Sequence, residues 1–539
     1  MKKNLKNLNI KEIKDLINNI NSKINLKNKN IGIKDVLSKK PVKKPDYGED
    51  YIDILKEVYE EIKNLEIYEK KAIGMADIVI GYDKVEKIKK YIVVEPILTK
   101  EEIELFLKLR KVVQVLLDVP VEEIDKEKLE DYLKEKIKEI FDDLKLSIDE
   151  ITKHKLIYFL VKYLLGYGKI DALMKDESLE DISCTGVRKP VYVFHRKYEH
   201  LKTNIKFETD EELDSFCISL AQRCGKSLTL ANPIVDGSLP DGSRLNVTLG
   251  KDISRFGSTF TIRKFTHTPI LPTDLIRYGS ISPEMLAYLW LLIEYKNSVM
   301  VAGEVATGKT TLLNAFSLFI PPQMKIVSIE DTPEIRLYHE NWIAGTTRSG
   351  FGGEEYEITM MDLLKAALRQ RPDYLIVGEV RGEEAKILFQ AITTGHLALS
   401  TIHAKSPEAV IRRLNAEPMN IPKIMLEQLN AICMQIRLIY KERFVRRTKS
   451  ITEIVEYDPN IDDIILHDVF WWDPETDTFK FSGKSYLLKR IAEFIGSSEQ
   501  EIINELYKRA EFLKDLSEKK PDFEEFVKRI CEYKEQKGD

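Results

Sequence analysis

Gly303-Glu304-Val305-Ala306-Thr307-Gly308-Lys309-Thr310 reads G-x-x-x-x-G-K-[ST], a spacing suited to holding phosphate. The glycines let the backbone curl until its N–H groups converge on phosphate oxygens, and a helix opening at the end of the loop adds a favourable dipole. Lys309 would reach the terminal phosphates, and the Thr310 hydroxyl, with Thr311 behind it, would sit where Mg²⁺ is held. Three further positions could do chemistry beside that loop. Lys325-Ile-Val-Ser-Ile329 is followed by Glu330-Asp331, Tyr374-Leu-Ile-Val377 by Gly378-Glu379, and Leu397-Ala-Leu-Ser-Thr401 by Ile402-His403. Each is a short apolar run ending in a titratable side chain. In a parallel sheet, that end of a strand is where ligands bind. Arg244 closes a stretch dense in turn formers, Asp236-Gly-Ser-Leu-Pro-Asp-Gly-Ser-Arg244, which would present the guanidinium on a rigid loop. A surface ion pair is the alternative for Arg244 and for Arg263.

These residues need a scaffold, and the pattern from about 269 to 445 supplies one: apolar runs alternate with helical stretches, as in a parallel sheet covered by helices. Ser298–Ala302 reads as the strand before the phosphate loop, and Thr311–Ile320 as the helix after it. Strand-like pieces return at Ile451–Val455, Ile464–His467 and Phe479–Phe481, and residues 485–539 are helical, amphipathic and charged. Upstream, Gly166-Tyr-Gly168 breaks a helix. The alternating runs after it (Asp181-Ile-Ser-Cys-Thr, Val191-Tyr-Val-Phe), with a helix over Glu211–Cys224, predict an α+β domain to about 265. Residues 50–165 read as helical, with i, i+3, i+4 apolar spacing over Tyr51–Leu65, Lys100–Leu117, Lys126–Phe141 and Ile151–Leu165. Tyr91–Val94 is the one candidate strand there.

Composition bounds the rest. With 539 residues and 43% hydrophobic content, the chain can build several cores. No apolar run approaches a membrane span; the densest, Ala287–Ile293, is far too short. The basic start MKKNLKNLNI lacks an apolar signal core, so a cytoplasmic chain is expected. The five cysteines (Cys184, Cys217, Cys224, Cys433, Cys531) form no C-x-x-C pair, which excludes a disulfide framework and a four-cysteine zinc site. A net charge of −5 argues against a protein that coats nucleic acid. Charge is uneven, however. Residues 1–45 carry thirteen Lys against Glu12, Asp15 and Asp35, with Ile10, Ile13, Ile17 and Ile20 at helical spacing. That leader reads as a solvated tail, with a tether to an acidic membrane or membrane partner as the alternative.

Leu368-Arg-Gln-Arg-Pro-Asp-Tyr-Leu-Ile-Val-Gly-Glu-Val-Arg381 resembles the signature of the type II/type IV secretion ATPase superfamily, which serves secretion, pili and the archaellum. Ile329-Glu-Asp-Thr-Pro-Glu334 is similar to its aspartate box, and Gly395-His396-Leu-Ala-Leu-Ser-Thr401-Ile-His403-Ala to its histidine box. Asp241-Gly-Ser-Arg244 and Ser258-Thr-Phe-Thr-Ile-Arg263-Lys resemble the end of its N-terminal domain. Arg381-Gly382 in place of Arg-Asp, Thr332, the long N-terminus and the Lys/Ile/Asn/Glu-heavy composition lean toward the archaeal branch. The fold this implies is α/β: a RecA-like P-loop NTPase domain, a preceding PAS-like α+β domain and a helical N-terminal extension. The corresponding divisions are a basic flexible leader (1–45), a helical adaptor (46–165), the PAS-like domain (166–268), the RecA-like domain (269–484) and a helical C-terminal extension (485–539).

The function it implies is a hexameric, ATP-hydrolysing motor on the inner face of the membrane. It would act on a membrane platform protein to move a pilus-like filament, an archaellum or a secretion machine, without direct nucleic-acid contact. An export ATPase for protein or DNA is the alternative, and a non-catalytic nucleotide-binding scaffold is a third reading. ATP would lie on Gly303, Glu304, Val305, Ala306, Thr307, Gly308, Lys309, Thr310 and Thr311. Mg²⁺ would take Thr310 and Glu379. Glu330 would orient or deprotonate water with Glu379 able to share that role, His403 would sense the γ-phosphate, and Arg244 and Arg263 would reach the phosphates from the N-terminal domain. Arg381 ranks below them, since it can pair with a carboxylate instead.

Overall fold

The computed structural model describes residues 61–116, 126–143, 148–265, 269–348, 357–441 and 443–535. The leader and most of the helix expected over Tyr51–Leu65 lie outside them. The chain divides into two compact units, Met1–Phe265 and Thr266–Asp539.

The first unit is built on a nine-stranded sheet. Its strands are β1 (Leu65–Ile73), β2 (Ala76–Asp83), β3 (Ile88–Val94), β4 (Leu179–Cys184), β5 (Pro190–His195), β6 (Glu199–Lys206), β7 (Ile234–Ser238), β8 (Arg244–Thr248) and β9 (Thr259–Arg263). Their order is β1-β2-β3-β6-β5-β4-β9-β8-β7, with β3–β6 parallel and the other pairs antiparallel. The helical reading of 50–165 therefore needs correcting over 65–90, while the candidate strand Tyr91–Val94 lies within β3. Leu65–Ile73 alternates half-buried and exposed positions along a strand. The two-residue turn Gly74-Met75, with Gly74 at φ 60°, returns the chain into β2. Lys71 misleads by composition: its ammonium sits 2.7 Å from Asp176. Because β3 pairs with β6, the division expected at 165/166 runs through one sheet. Helices do follow at Lys100–Leu116, Lys126–Asp143 and Glu150–Leu164, and they pack a small core of their own from Leu109, Val113, Ile137, Phe141, Leu156 and Leu160.

The second unit holds another nine-stranded sheet. Its strands are β10 (Val299–Gly303), β11 (Ile326–Glu330), β12 (Trp342–Thr346), β13 (Tyr374–Val377), β14 (Leu397–Ile402), β15 (Ala431–Tyr440), β16 (Arg443–Asp458), β17 (Asp463–Asp473) and β18 (Thr478–Phe481). The order is β12-β11-β13-β14-β10-β15-β16-β17-β18. From β12 to β15 every pairing is parallel, and from β15 onward the pairings are antiparallel. This is the RecA-like order, with the strand entering the phosphate loop between β14 and β15. Strands β10, β11, β13 and β14 are buried at every position, which is why they read as unbroken apolar runs.

The dense apolar stretch Ala287–Ile293 belongs to helix Pro283–Glu294, in which Met285–Ile293 are fully buried; it is a core helix. Among the described residues no helix is long and apolar enough to cross a membrane. The C-terminal helices Tyr486–Ile495, Glu499–Lys519 and Phe523–Glu535 share their core with Pro283–Glu294, so 485–535 is built into this unit. Arg509 fixes the join: it is buried, paired bidentately with Glu294 at 2.8 and 3.0 Å, and lies 4.8 Å over the Trp290 ring.

Candidate functional site

β10 delivers Gly303 to the carboxyl edge of the sheet, and helix Lys309–Ser317 starts a few residues later. Gly303 has no room for a side chain: an added Cβ would stand 2.5 Å from the Gln435 carbonyl on β15. Gly308 caps the helix at φ 91°, a conformation glycine adopts without strain. Ala306 is also left-handed, at φ 60°. The loop closes on the Glu304 carbonyl, which accepts from Thr307 Oγ1 and from Lys309 Nζ, each at 2.9 Å.

Lys309 is buried, and its ammonium donates a second hydrogen bond to His403 Nδ1 at 3.2 Å. His403 stands just past β14, the strand beside β10. Because Nδ1 accepts, the ring is neutral with its proton on Nε2. Burial and the Lys309 charge hold His403 below its ordinary pKa, consistent with that state. Nε2 lies 3.0 Å from Glu379 Oε1 without hydrogen-bond alignment, and that buried oxygen has no hydrogen-bond partner. The other oxygen of Glu379 accepts from Arg381 Nη2 at 2.6 Å, and Arg381 Nη1 lies 3.6 Å from Asp331. Burial pulls the Glu379 pKa up, but Arg381, His403 and Lys309 outweigh it, and the group sits below the usual carboxylate range. The result is a chain of close contacts, Lys309–His403–Glu379–Arg381, across the ends of three parallel strands, hydrogen-bonded at its first and last links. Arg381 takes up the carboxylate pairing the sequence had allowed.

Glu330 ends β11 and is buried. It is adjacent to this chain through Gly378, where a Cβ would come within 3.1 Å of Glu330 Cγ. Its carboxylate does not join the chain. It accepts instead from the backbone N–H groups of Glu334 at 2.9 Å and Ile335 at 3.1 Å. Burial pushes its pKa up to about 7 against the pull of those two amides. A carboxyl poised near neutrality is what a general base requires.

Arg244 and Arg263 belong to the first unit, where they are cross-strand neighbours on β8 and β9. Arg244 forms an exposed bidentate pair with Asp236 at 2.9 and 3.2 Å. Three residues at the phosphate loop escaped the sequence reading. Arg446 Nε donates to the Ala306 carbonyl at 3.0 Å, Lys405 pairs with Glu304 at 3.2 Å, and Arg413 donates to the His403 carbonyl at 2.6 Å. Arg446 is 140 residues from Ala306, beyond any local spacing rule. The one sequence signal for Arg413 is its helix, Pro407–Asn415, which directly follows the His403 strand.

Among the described residues no three His, Cys, Asp or Glu side chains cluster as a metal cage. Thr310 and Glu379 offer a hydroxyl and a carboxylate beside the loop. That sparse hard-oxygen set suits Mg²⁺, which takes most of its remaining ligands from phosphate and water.

A sequence profile described as Type II/IV secretion system protein matches residues 167–468. Uncharacterized protein MJ1287 of Methanocaldococcus jannaschii is 91% identical over 270 residues, covering 50% of this chain and 100% of that protein. Uncharacterized protein MJ0900 of the same organism is 41% identical over 452 residues, covering 79% of this chain and 81% of the other. Type IV secretion system protein PtlH of Bordetella pertussis is 29% identical over 243 residues, covering 40% of this chain and 71% of the other.

Proposed function

The chain belongs to the Type II/IV secretion system protein family, and from that membership we propose that it is an Mg²⁺-dependent ATPase, a homohexameric motor acting on a membrane platform protein. It works at the inner face of the cell membrane and powers a pilus-like filament, an archaellum or a type II-like secretion machine. The observation that carries this reading is the Lys309–His403–Glu379 chain at the mouth of the Gly308-capped helix.

In this reading the backbone N–H groups from Glu304 to Thr311 cradle the phosphates, and Lys309 leaves the Glu304 carbonyl to meet the terminal ones. His403 then loses its donor and turns Nε2–H toward the γ-phosphate, so the chain reports whether that phosphate is present. Glu330 orients the attacking water and accepts its proton, and its near-neutral pKa serves that exchange. Mg²⁺, held by Thr310 and Glu379, would supply charge neutralisation on the β- and γ-phosphate oxygens. Arg244 and Arg263 would supply cations for the spreading negative charge, Arg244 giving up its pair with Asp236 to do so.

A second reading, an export ATPase for protein or DNA, is favoured by the likeness to PtlH; the net charge of −5 weighs against DNA. A non-catalytic scaffold is disfavoured by the retention of Lys309, Thr310, Glu330 and Glu379 together. The test is phosphate release from ATP with Mg²⁺, wild type against Lys309→Ala. The motor reading expects turnover in the first and none in the second, and equal low rates would end it.

A further inference from the structure

We propose that Arg446 is a positioning residue of the phosphate loop, clamping it from the β15–β16 hairpin in the shape that receives phosphate. The inference rests on the reading of that loop as the nucleotide site.

The loop's shape needs a restraint. Ala306 is held at φ 60°, which alanine disfavours, and Gly308 follows at φ 91°. Glu304, Val305 and Ala306 are exposed, Val305 at 78%, so core packing does not impose this path. The inner side of the loop is tied by Thr307 and Lys309 to the Glu304 carbonyl, but Lys309 is the cation expected to turn to phosphate. The tie that can persist through that turn comes from outside. Arg446 Nε donates to the Ala306 carbonyl at 3.0 Å, and its Cδ lies where a Gly308 side chain would be met at 3.5 Å. One side chain thus touches both left-handed residues.

The hairpin that carries it is anchored to the same edge. β15 runs parallel to β10, with Gln435 opposite Gly303, and Arg446 pairs across to Arg437. Gln435 is fixed in turn by Thr448 Oγ1 at 2.6 Å. The clamp therefore comes from β16, two strands from the loop's own β10 and joined to it through β15. A guanidinium Nε–H has a fixed direction, which a lysine ammonium lacks.

Nucleotide affinity and turnover measured on the full chain test this. Arg446→Ala should raise KM for ATP roughly tenfold, the effect of one charged hydrogen bond, with kcat changed less than about twofold. Ala306→Gly populates φ > 0 without penalty, so adding it to Arg446→Ala should recover about half of the lost affinity on a logarithmic scale. Lys449→Ala, which removes an exposed charge from the same strand, should leave KM unchanged. An unchanged KM in Arg446→Ala overturns the proposal, as does a loss that Ala306→Gly fails to lessen or that Lys449→Ala reproduces. Should Arg446→Ala not fold, Arg446→Lys replaces it, with the same direction and the same rescue expected. Absence of ATP binding by the wild type defeats the nucleotide reading itself; wild-type binding with an indifferent Arg446 defeats only the clamp.

Discussion

Glu330→Gln separates two consequences of one buried carboxyl. The folded protein holds the Glu330 proton up to about pH 7, while the unfolded chain releases it near 4.5. The stability tied to that proton is therefore fully present below pH 4.5 and is lost as pH rises through 7. At 1.36 kcal/mol per tenfold change in proton affinity, the loss amounts to about 3 kcal/mol. The amide that replaces the carboxyl never ionises. The variant should match the wild type at pH 4 and exceed it at pH 8 by up to about 3 kcal/mol, raising the melting midpoint by roughly 5 °C. Activity should go the other way. In the free enzyme a base of this pKa is about one-tenth ionised at pH 6 and nine-tenths at pH 8, so wild-type kcat/KM rises roughly tenfold over that range. The variant should keep ATP binding, lose most turnover and show no such rise in its residual rate, which also controls for titration of the nucleotide. Scanning calorimetry at the two pH values and a phosphate-release profile read both halves. A variant no more stable than wild type at pH 8, with the rise in rate retained, would refute the assignment of the charge to Glu330.

Other outcomes follow from neighbouring contacts. His403→Ala cuts the chain between Lys309 and Glu379 and should lower kcat on the order of a hundredfold while ATP still binds, as read by single-turnover hydrolysis against equilibrium binding. Glu453→Ala removes a fully buried carboxylate that accepts from Tyr288 Oη at 2.6 Å, Tyr486 N at 2.8 Å and Leu487 N at 3.2 Å. Leaving those donors bare should cost about 3 kcal/mol and free the start of helix Tyr486–Ile495, seen as faster amide exchange there. Chelation by EDTA should stop phosphate release without lowering the melting midpoint of the nucleotide-free protein, since the described residues hold no structural metal cluster.

The second unit was the legible one, for a physical reason. Its central strands are buried on both faces, so β10, β11, β13 and β14 stand out as apolar runs, and their carboxyl-end residues Glu330, Glu379 and His403 could be read as converging. Of the β1–β3 meander only Tyr91–Val94 was legible, because other positions carry charge paired at a distance: Lys90 is buried against Asp83 at 2.7 Å, and half-buried Lys71 meets Asp176. A Lys/Glu-rich stretch of that kind scores as a solvated helix until its distant partners are known. The same distance hid Arg446, whose meaning depends on a carbonyl 140 residues earlier. Helix positions in 485–539 were readable from amphipathic spacing, but spacing cannot say what the apolar face meets, and here it meets the buried helix Pro283–Glu294.

That last contact bears on how a phosphate signal could leave the site. Helix Lys309–Ser317 leads directly into Phe319, which stacks on Trp290 at 4.9 Å with the rings 3° from parallel. Trp290 also lies under Arg509 and beside Tyr533 at 5.2 Å, and Lys534 donates to the Phe319 carbonyl at 2.7 Å. The helix that begins at the phosphate loop thus ends against the C-terminal helices through close-packed rings and desolvated cations. Interiors this dense move as blocks rather than deform. A shift of the Lys309 end would therefore displace Glu499–Lys519 and Phe523–Glu535 together, whereas the Arg446 clamp ties the other side of the loop to the β15–β18 extension. Trp290→Leu keeps an apolar filler but removes the stacked rings and the cation site, so it should leave ATP binding intact while uncoupling nucleotide state from the C-terminal helices. Amide exchange in residues 499–535, compared with and without ATP, should differ in the wild type and coincide in the variant. An equal nucleotide-dependent difference in both would show that the signal leaves by another route.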